Sequence, residues 1–139
     1  MRKIILLVAI PLIVLVSSCK EEKENTQMKE VMAIHDKVMP KMSQLGSLVG
    51  ELNDKEKDST DLRIQYERAR KDLQAANKSM MDWMQNFGNR FDPEEILKGK
   101  ELSEQKKQWL NEEEEKVKAL QEEINSSIEN AKKLLNKNE

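Results

Sequence analysis

Three stretches of the chain repeat apolar residues in alternating steps of three and four, the spacing of helices that bury one face along their whole length. The first is Met28, Val31, His35, Val38, Met42, Leu45, Val49 and Leu52; the second is Leu62, Tyr66, Ala69, Leu73, Ala76, Met80, Trp83 and Phe87. The third is Leu110, Val117, Leu120, Ile124, Ile128, Ala131 and Leu135, interrupted at Glu112 to Lys116, so Glu113 or Glu114 is expected to point inward or toward a partner. These seams predict helices over about 28–53, 60–87 and 103–136.

Local signals set the expected ends and bends. Pro40 lies opposite the first seam, which keeps its phase across it, so one bent helix is expected rather than two. Asn53 to Asp58 is charged and non-periodic and reads as a turn, with Asp58, Ser59 or Thr60 capping the second helix. Gly88 is expected to stop that helix. Asp92-Pro93-Glu94-Glu95 joins a capping residue, a proline at the first helical position and acidic residues in the first turn, which predicts a short helix over 93–98 ended by Gly99.

The expected fold is therefore all-α, an antiparallel up-down-up three-helix bundle with coiled-coil-like seams over residues 28–137. Folding about those turns pairs Leu52 with Leu62, His35 with Met80, Val31 with Trp83, and Trp83 with Trp109. Methionines and aromatic rings then gather at the end where the first helix starts. Leu48 and Ile34 on the first helix and Leu134 on the third fall outside the seams and are expected to face another chain.

Ahead of the bundle, the polarity changes character. Arg2 and Lys3 precede Ile4 to Val16, an uncharged apolar run of 13 residues, and Ser17-Ser18-Cys19 follows, holding the only cysteine. Positive, apolar, then small is the order of a secretory signal. At about 1.5 Å per residue the run covers about 20 Å, short of the roughly 30 Å of a hydrocarbon core, so a membrane-spanning reading fails.

The stretch Leu15-Val16-Ser17-Ser18-Cys19 resembles the lipobox of bacterial lipoproteins. The resemblance implies a signal helix, residues 1–18, that is cleaved off. It also implies a diacylglycerol on the Cys19 sulfur and a further acyl chain, such as palmitate, on the new amino group. Two or more chains make such an anchor effectively permanent. Residues 20–25, Lys-Glu-Glu-Lys-Glu-Asn, carry no apolar side chain, so 19–27 is expected to be the lipidated residue and a flexible leash. Lys20, where inner-membrane lipoproteins carry Asp, implies the outer membrane, on its periplasmic or cell-surface face.

Charge and residue types narrow the function. Without Arg2 and Lys3, 22 basic residues stand against 26 acidic ones, a net charge near −4, which gives no basic face for nucleic acid. Cys19 under lipid leaves no thiol for a disulfide, so stability must come from packing. No serine or cysteine nucleophile stands beside a base at recognisable spacing and no glycine-rich phosphate loop is present, so the chain is not expected to be an enzyme.

His35, the only histidine, sits on a core seam in the expected layer of Met80, with Met32 and Met84 nearby. Imidazole and thioethers suit Cu(I), and a Met–His pair can hold a haem iron in a helix bundle. The competing reading is a packed core histidine satisfied by Asp36 or Glu113 among gap-filling methionines, with no cofactor beyond the lipid. The segment 28–42, with Met80-Met81-Asp82-Trp83-Met84, is similar to a group of small helical lipoproteins, some carrying the automatic label "viral A-type inclusion protein". That resemblance implies a helical architecture and brings no catalytic residues. The expected role is a lipid-anchored interaction or structural module that meets a protein partner or a second copy of itself.

Overall fold

A computed structural model describes the backbone of residues 18–58 and 61–136, and the side chains of 25–57 and 61–136. The expected signal segment through Ser17 and the candidate caps Ser59 and Thr60 lie outside these residues. The described chain is all-α: α1 (Ser18–Asp58), α2 (Arg63–Arg90), α3 (Pro93–Lys98) and α4 (Glu104–Asn136), with no strand among the described residues. The three long helices all pack on one another, and their seams meet in a single apolar core.

α1 is longer at both ends than its seam. The segment expected to be a leash is helical from Ser18, giving one 41-residue helix about 60 Å long. Two physical reasons account for this. Glu and Lys propagate a helix well without any apolar stripe. Gln27 also ties this end down, donating to Asn111 Oδ1 at 2.8 Å and Glu114 Oε2 at 2.6 Å on α4. At the other end Asn53 to Asp58 stays helical rather than turning. Lys57 pairs with Asp54 at 3.1 Å, and Glu56 accepts from Arg70 Nε of α2 at 2.8 Å. Pro40 lies within α1 on its exposed side while Val38 and Leu45 are buried, so the seam passes it without a break.

α2 begins at Arg63, after Leu62 at the N-cap position, where no side chain caps the helix; the Leu62 carbonyl accepts from Gln65 and Tyr66. Gly88 does not end it. The helix runs on to Arg90, and Phe91, itself buried, donates its backbone N–H to Phe87 O. Gly is tolerated in a helix at about 1 kcal/mol, and here the residues beyond it find partners. Both turns thus fall later than the sequence pattern placed them, and the layers move with them. His35 meets Trp83 rather than Met80, and Trp109 meets Arg90 rather than Trp83.

α3 is a compact cap on one end of the core. Asp92 accepts from the backbone N–H of Glu94 at 2.9 Å and of Glu95 at 3.0 Å, and Glu95 returns the bond to Asp92 N at 2.8 Å, a complete capping box. Glu95 is buried, and Lys106 of α4 supplies its counter-charge at 2.6 Å. Gly99 closes α3 in the left-handed conformation at φ 68°. A side chain there would also run into the Asn25 amide on α1, so Gly99 lets α1 approach the link between α3 and α4.

Leu48, expected to be left over for a partner, is buried, and Ile34 and Leu134 pack against the core half-buried. The large apolar side chains that face outward are Ile64, Met81 and Leu97, with Met39 and Met84 partly exposed. Leu48 stands three residues after Leu45 and four before Leu52, on the flank of the buried stripe, and that flank is covered where the three long helices pack together.

Candidate functional site

The chemistry of the described chain concentrates near the α3 end. Trp83, Phe87 and Phe91 come from successive turns at the end of α2, and their rings form a ladder with centroids 5.0 and 4.9 Å apart. His35 of α1 extends the ladder, stacking on Trp83 at 5.8 Å with the planes 30° apart. Its Nδ1 lies 3.0 Å from Asp36 Oδ1. The sole histidine is therefore placed by a ring contact and a neighbouring carboxylate.

Beside this ladder lies the one residue that breaks the α4 seam. Glu113 is completely buried. Its Oε1 accepts from Arg90 Nη1 at 2.8 Å and from Lys116 Nζ at 2.9 Å. Arg90 also donates to Glu112 at 2.7 Å, and its guanidinium lies over the Trp109 ring, 5.2 Å from the centroid. An indole face attracts a cation, so Trp109 holds Arg90 against the bundle while the carboxylates take its protons in hydrogen bonds. A buried carboxylate demands such company, because an uncompensated one costs several kcal/mol.

Two atoms here are left without partners. Glu113 Oε2 and Trp83 Nε1 are both buried and neither has a hydrogen-bond partner. One is an acceptor only and the other a donor only. Both residues line a groove of ≈ 400 Å³ between α2 and α4, with Ser79 and Asn86 on one wall and Ala119 and Glu123 on the other. Ser79 Oγ donates to Glu123 Oε1 at 3.3 Å, joining the two walls. A larger hollow of ≈ 810 Å³ lies at the far end between α1 and α4, around Leu48, Glu51 and Lys132. No unpartnered buried polar atom lies among its described lining residues, so the smaller groove is the better candidate.

The site is flanked by a second polar cluster that ties α1 to α4. The Glu114 carboxyl is held below its ordinary pKa, first by the hydrogen bond from Lys118 and next by that from Gln27. The sequence-proposed metal residues are in unlike surroundings. Met80 is fully buried, Met32 is half-buried, and Met84 is 37% exposed, while His35 is committed to Trp83 and Asp36. No three His, Cys, Asp or Glu side chains among the described residues form a metal-holding group. Cys19 falls in the first turn of α1, and its side chain is outside those described.

The pairing of Trp83 with Glu113 escaped the sequence pattern, which set Trp83 beside Trp109. The signal was present in a weaker form: a glutamate filling a seam position on α4 needs a polar neighbour, and α2 offers Trp83 and Arg90. The chain matches no protein-family model, and comparison with curated proteins and with solved structures returns no significant match.

Proposed function

We propose that the chain is a lipid-anchored envelope protein: residues 1–18 are a cleaved signal, Cys19 carries the lipid, and the rest is an up-down-up antiparallel bundle with coiled-coil-like seams. It works as a binding or structural module at the outer membrane, without catalysis, and meets a protein partner or a second copy of itself. The positive, apolar and small order of residues 2–19 supports the anchor. Contacts that run in opposite directions along α1 and α2 support the topology: Glu56 pairs with Arg70, and His35 with Trp83. The pairing of Ser79 with Glu123 and of Arg90 with Glu113 supports the return of α4 alongside α2.

The observation that carries the reading furthest is the continuity of α1. Ser18–Asp58 is one helix, so position 19 lies on an element that itself builds part of the core, from Met28 to Leu52. An anchor there would hold the aromatic end of the bundle toward the lipid. No helix among the described residues is long and apolar enough to cross a membrane.

Growth with radiolabelled palmitate tests the anchor. Label in the membrane-bound wild-type protein and none in a Cys19→Ala variant is the expected result; equal labelling removes the anchor. Cross-linking on intact cells tests the module, with a discrete higher-mass adduct expected. Recovery of only an isolated monomer overturns that part of the reading.

A further inference from the structure

We propose that His35 and Met39 of α1, with Met32 one turn before them and Met84 of α2 opposite, form a site for a soft monovalent cation, Cu(I), at the solvent edge of the α1–α2 interface. The proposal does not depend on the lipid anchor. It regroups the residues that the sequence suggested: Met80, 0% exposed within the core, drops out, and Met39 takes its place.

Spacing on α1 brings three donors to one stripe. Met32, His35 and Met39 stand three and four residues apart on successive turns, where neighbouring Cβ atoms lie about 5 to 6 Å apart. Side chains on a helix lean toward its N-terminus, so Met39 leans over the turn of His35 and His35 over that of Met32. A thioether on three rotatable bonds can then adjust to an ion held at the ring. This stripe lies on the flank of α1 that meets α2: His35 stacks on Trp83, and Glu56, three heptads later, bonds Arg70. Gln27 and Lys41, on the other flank, bond α4 instead. Met84 directly follows Trp83 and shares the flank of Arg70, two heptads earlier, so α2 brings a fourth donor to the same interface.

The imidazole is set up as a ligand. Asp36 Oδ1, an acceptor, lies 3.0 Å from Nδ1, so Nδ1 carries the ring proton and Nε2 keeps its lone pair. A carboxylate in that position is the usual partner that orients a metal-bound histidine. The Trp83 stack holds the ring plane. An ion can arrive from solvent without opening the core, since Met39 and Met84 are each 37% exposed and Met32 and His35 are half-buried. Donor type then selects the ion. Thioethers with imidazole suit Cu(I), whereas Zn(II) calls for thiolates, carboxylates or several imidazoles, and Ca(II) and Mg(II) call for oxygens.

The test is a titration of the full chain in detergent with Cu(I), kept reduced by ascorbate and in competition with a chromophoric Cu(I) chelator. Cys19→Ala is the background throughout, so that no thiol competes. The methionines carry ¹³C-methyl labels and report one by one. The expected result is one Cu(I) per chain taken from the chelator, with saturable shifts of the Met32, Met39 and Met84 methyls and none at buried Met28. His35→Ala should weaken binding at least tenfold. Met39→Leu combined with Met84→Leu should do the same, and this volume-conserving pair at exposed positions should leave the helical circular dichroism unchanged. Zn(II) should leave the methyl signals in place. The proposal is overturned by no binding against the chelator, by undiminished binding in either variant, by shifts confined to other methionines, or by an equal response to Zn(II).

Discussion

At the α3 end the core is built of a ladder of rings beside a buried carboxylate, whereas toward the end where α1 passes into α2 the buried residues are mainly aliphatic, Leu45, Leu48, Leu52 and Leu135 among them with Tyr66. The contacts between helices differ accordingly. Near α3 they are directional: Glu113 with Arg90, Glu95 with Lys106, Gln27 with Asn111 and Glu114. At the far end, among the described residues, the ion pair of Arg70 with Glu56 joins α1 to α2 over leucines. Apolar packing is roughly indifferent to a slip of one heptad, since leucine replaces leucine. Directional bonds are not, so the α3 end should hold the helices in register while the leucine end supplies bulk burial.

The largest effects should come from emptying the two cores. Phe87→Ala should cost about 4 kcal/mol, against about 3 kcal/mol for Leu52→Ala. Urea unfolding measures both, and a larger loss at Leu52 would reverse the comparison.

Glu113→Ala should cost about 2 to 3 kcal/mol, at the low end for a broken buried pair because Arg90 and Lys116 can turn toward water. Replacing Glu113 and Arg90 together by leucine should recover most of that stability. If directional bonds set the register, amide exchange along α2 and α4 should nevertheless quicken near the groove in the double variant. Unchanged exchange would mean that packing alone fixes the alignment.

Gly99→Ala should cost about 1 to 2 kcal/mol for the left-handed backbone, and more if the Asn25 side chain cannot move aside. A thermal melt of this variant beside Gly46→Ala is the sharpest form of the test. Gly46 has open space around it and a helical backbone, so alanine there should be neutral or stabilising.

The smallest effect is pH-linked. The Asp92 carboxyl is held below its ordinary value, first by the Glu95 backbone N–H and also by Lys100. A lowered folded-state pKa means that its contribution is fully present above the ordinary carboxylate range and is lost as pH falls through the folded value. Asp92→Asn can still cap α3 but cannot titrate. Its stability deficit should therefore be largest near neutrality and shrink in acid, as melts across that range would show.

Much of the contrast between the two ends could be read from the residues. The seam positions are set by a period of three and four, and most of them are buried, Leu73, Ala76, Ile124 and Ala131 fully so, while His35, Met42, Val49, Leu62 and Ala69 are half-buried. α3 was equally legible, because capping and a left-handed glycine are local. Helix ends were not, since Gly88 and the charged run at Asn53 stop a helix only when the residues beyond them have nowhere to bond. Phe91, Arg90 and Glu56 all found partners or burial on other helices. Such contacts depend on register, and register depends on the very turns in question. The candidate groove was hidden for the same reason: Glu113 was visible as a gap in its seam, but its neighbour across the interface was not.

The unbroken course of α1 has a mechanical side. A pull on the Ser18 end travels along the helix axis and loads the α1 contacts with α2 and α4 in shear, many at once. Detaching the helix under such tension requires sliding a whole seam, from Met28 to Leu52, rather than peeling it one turn at a time. The same bundle pulled sideways at Asn136, where α4 ends, would unzip turn by turn and yield at a lower force.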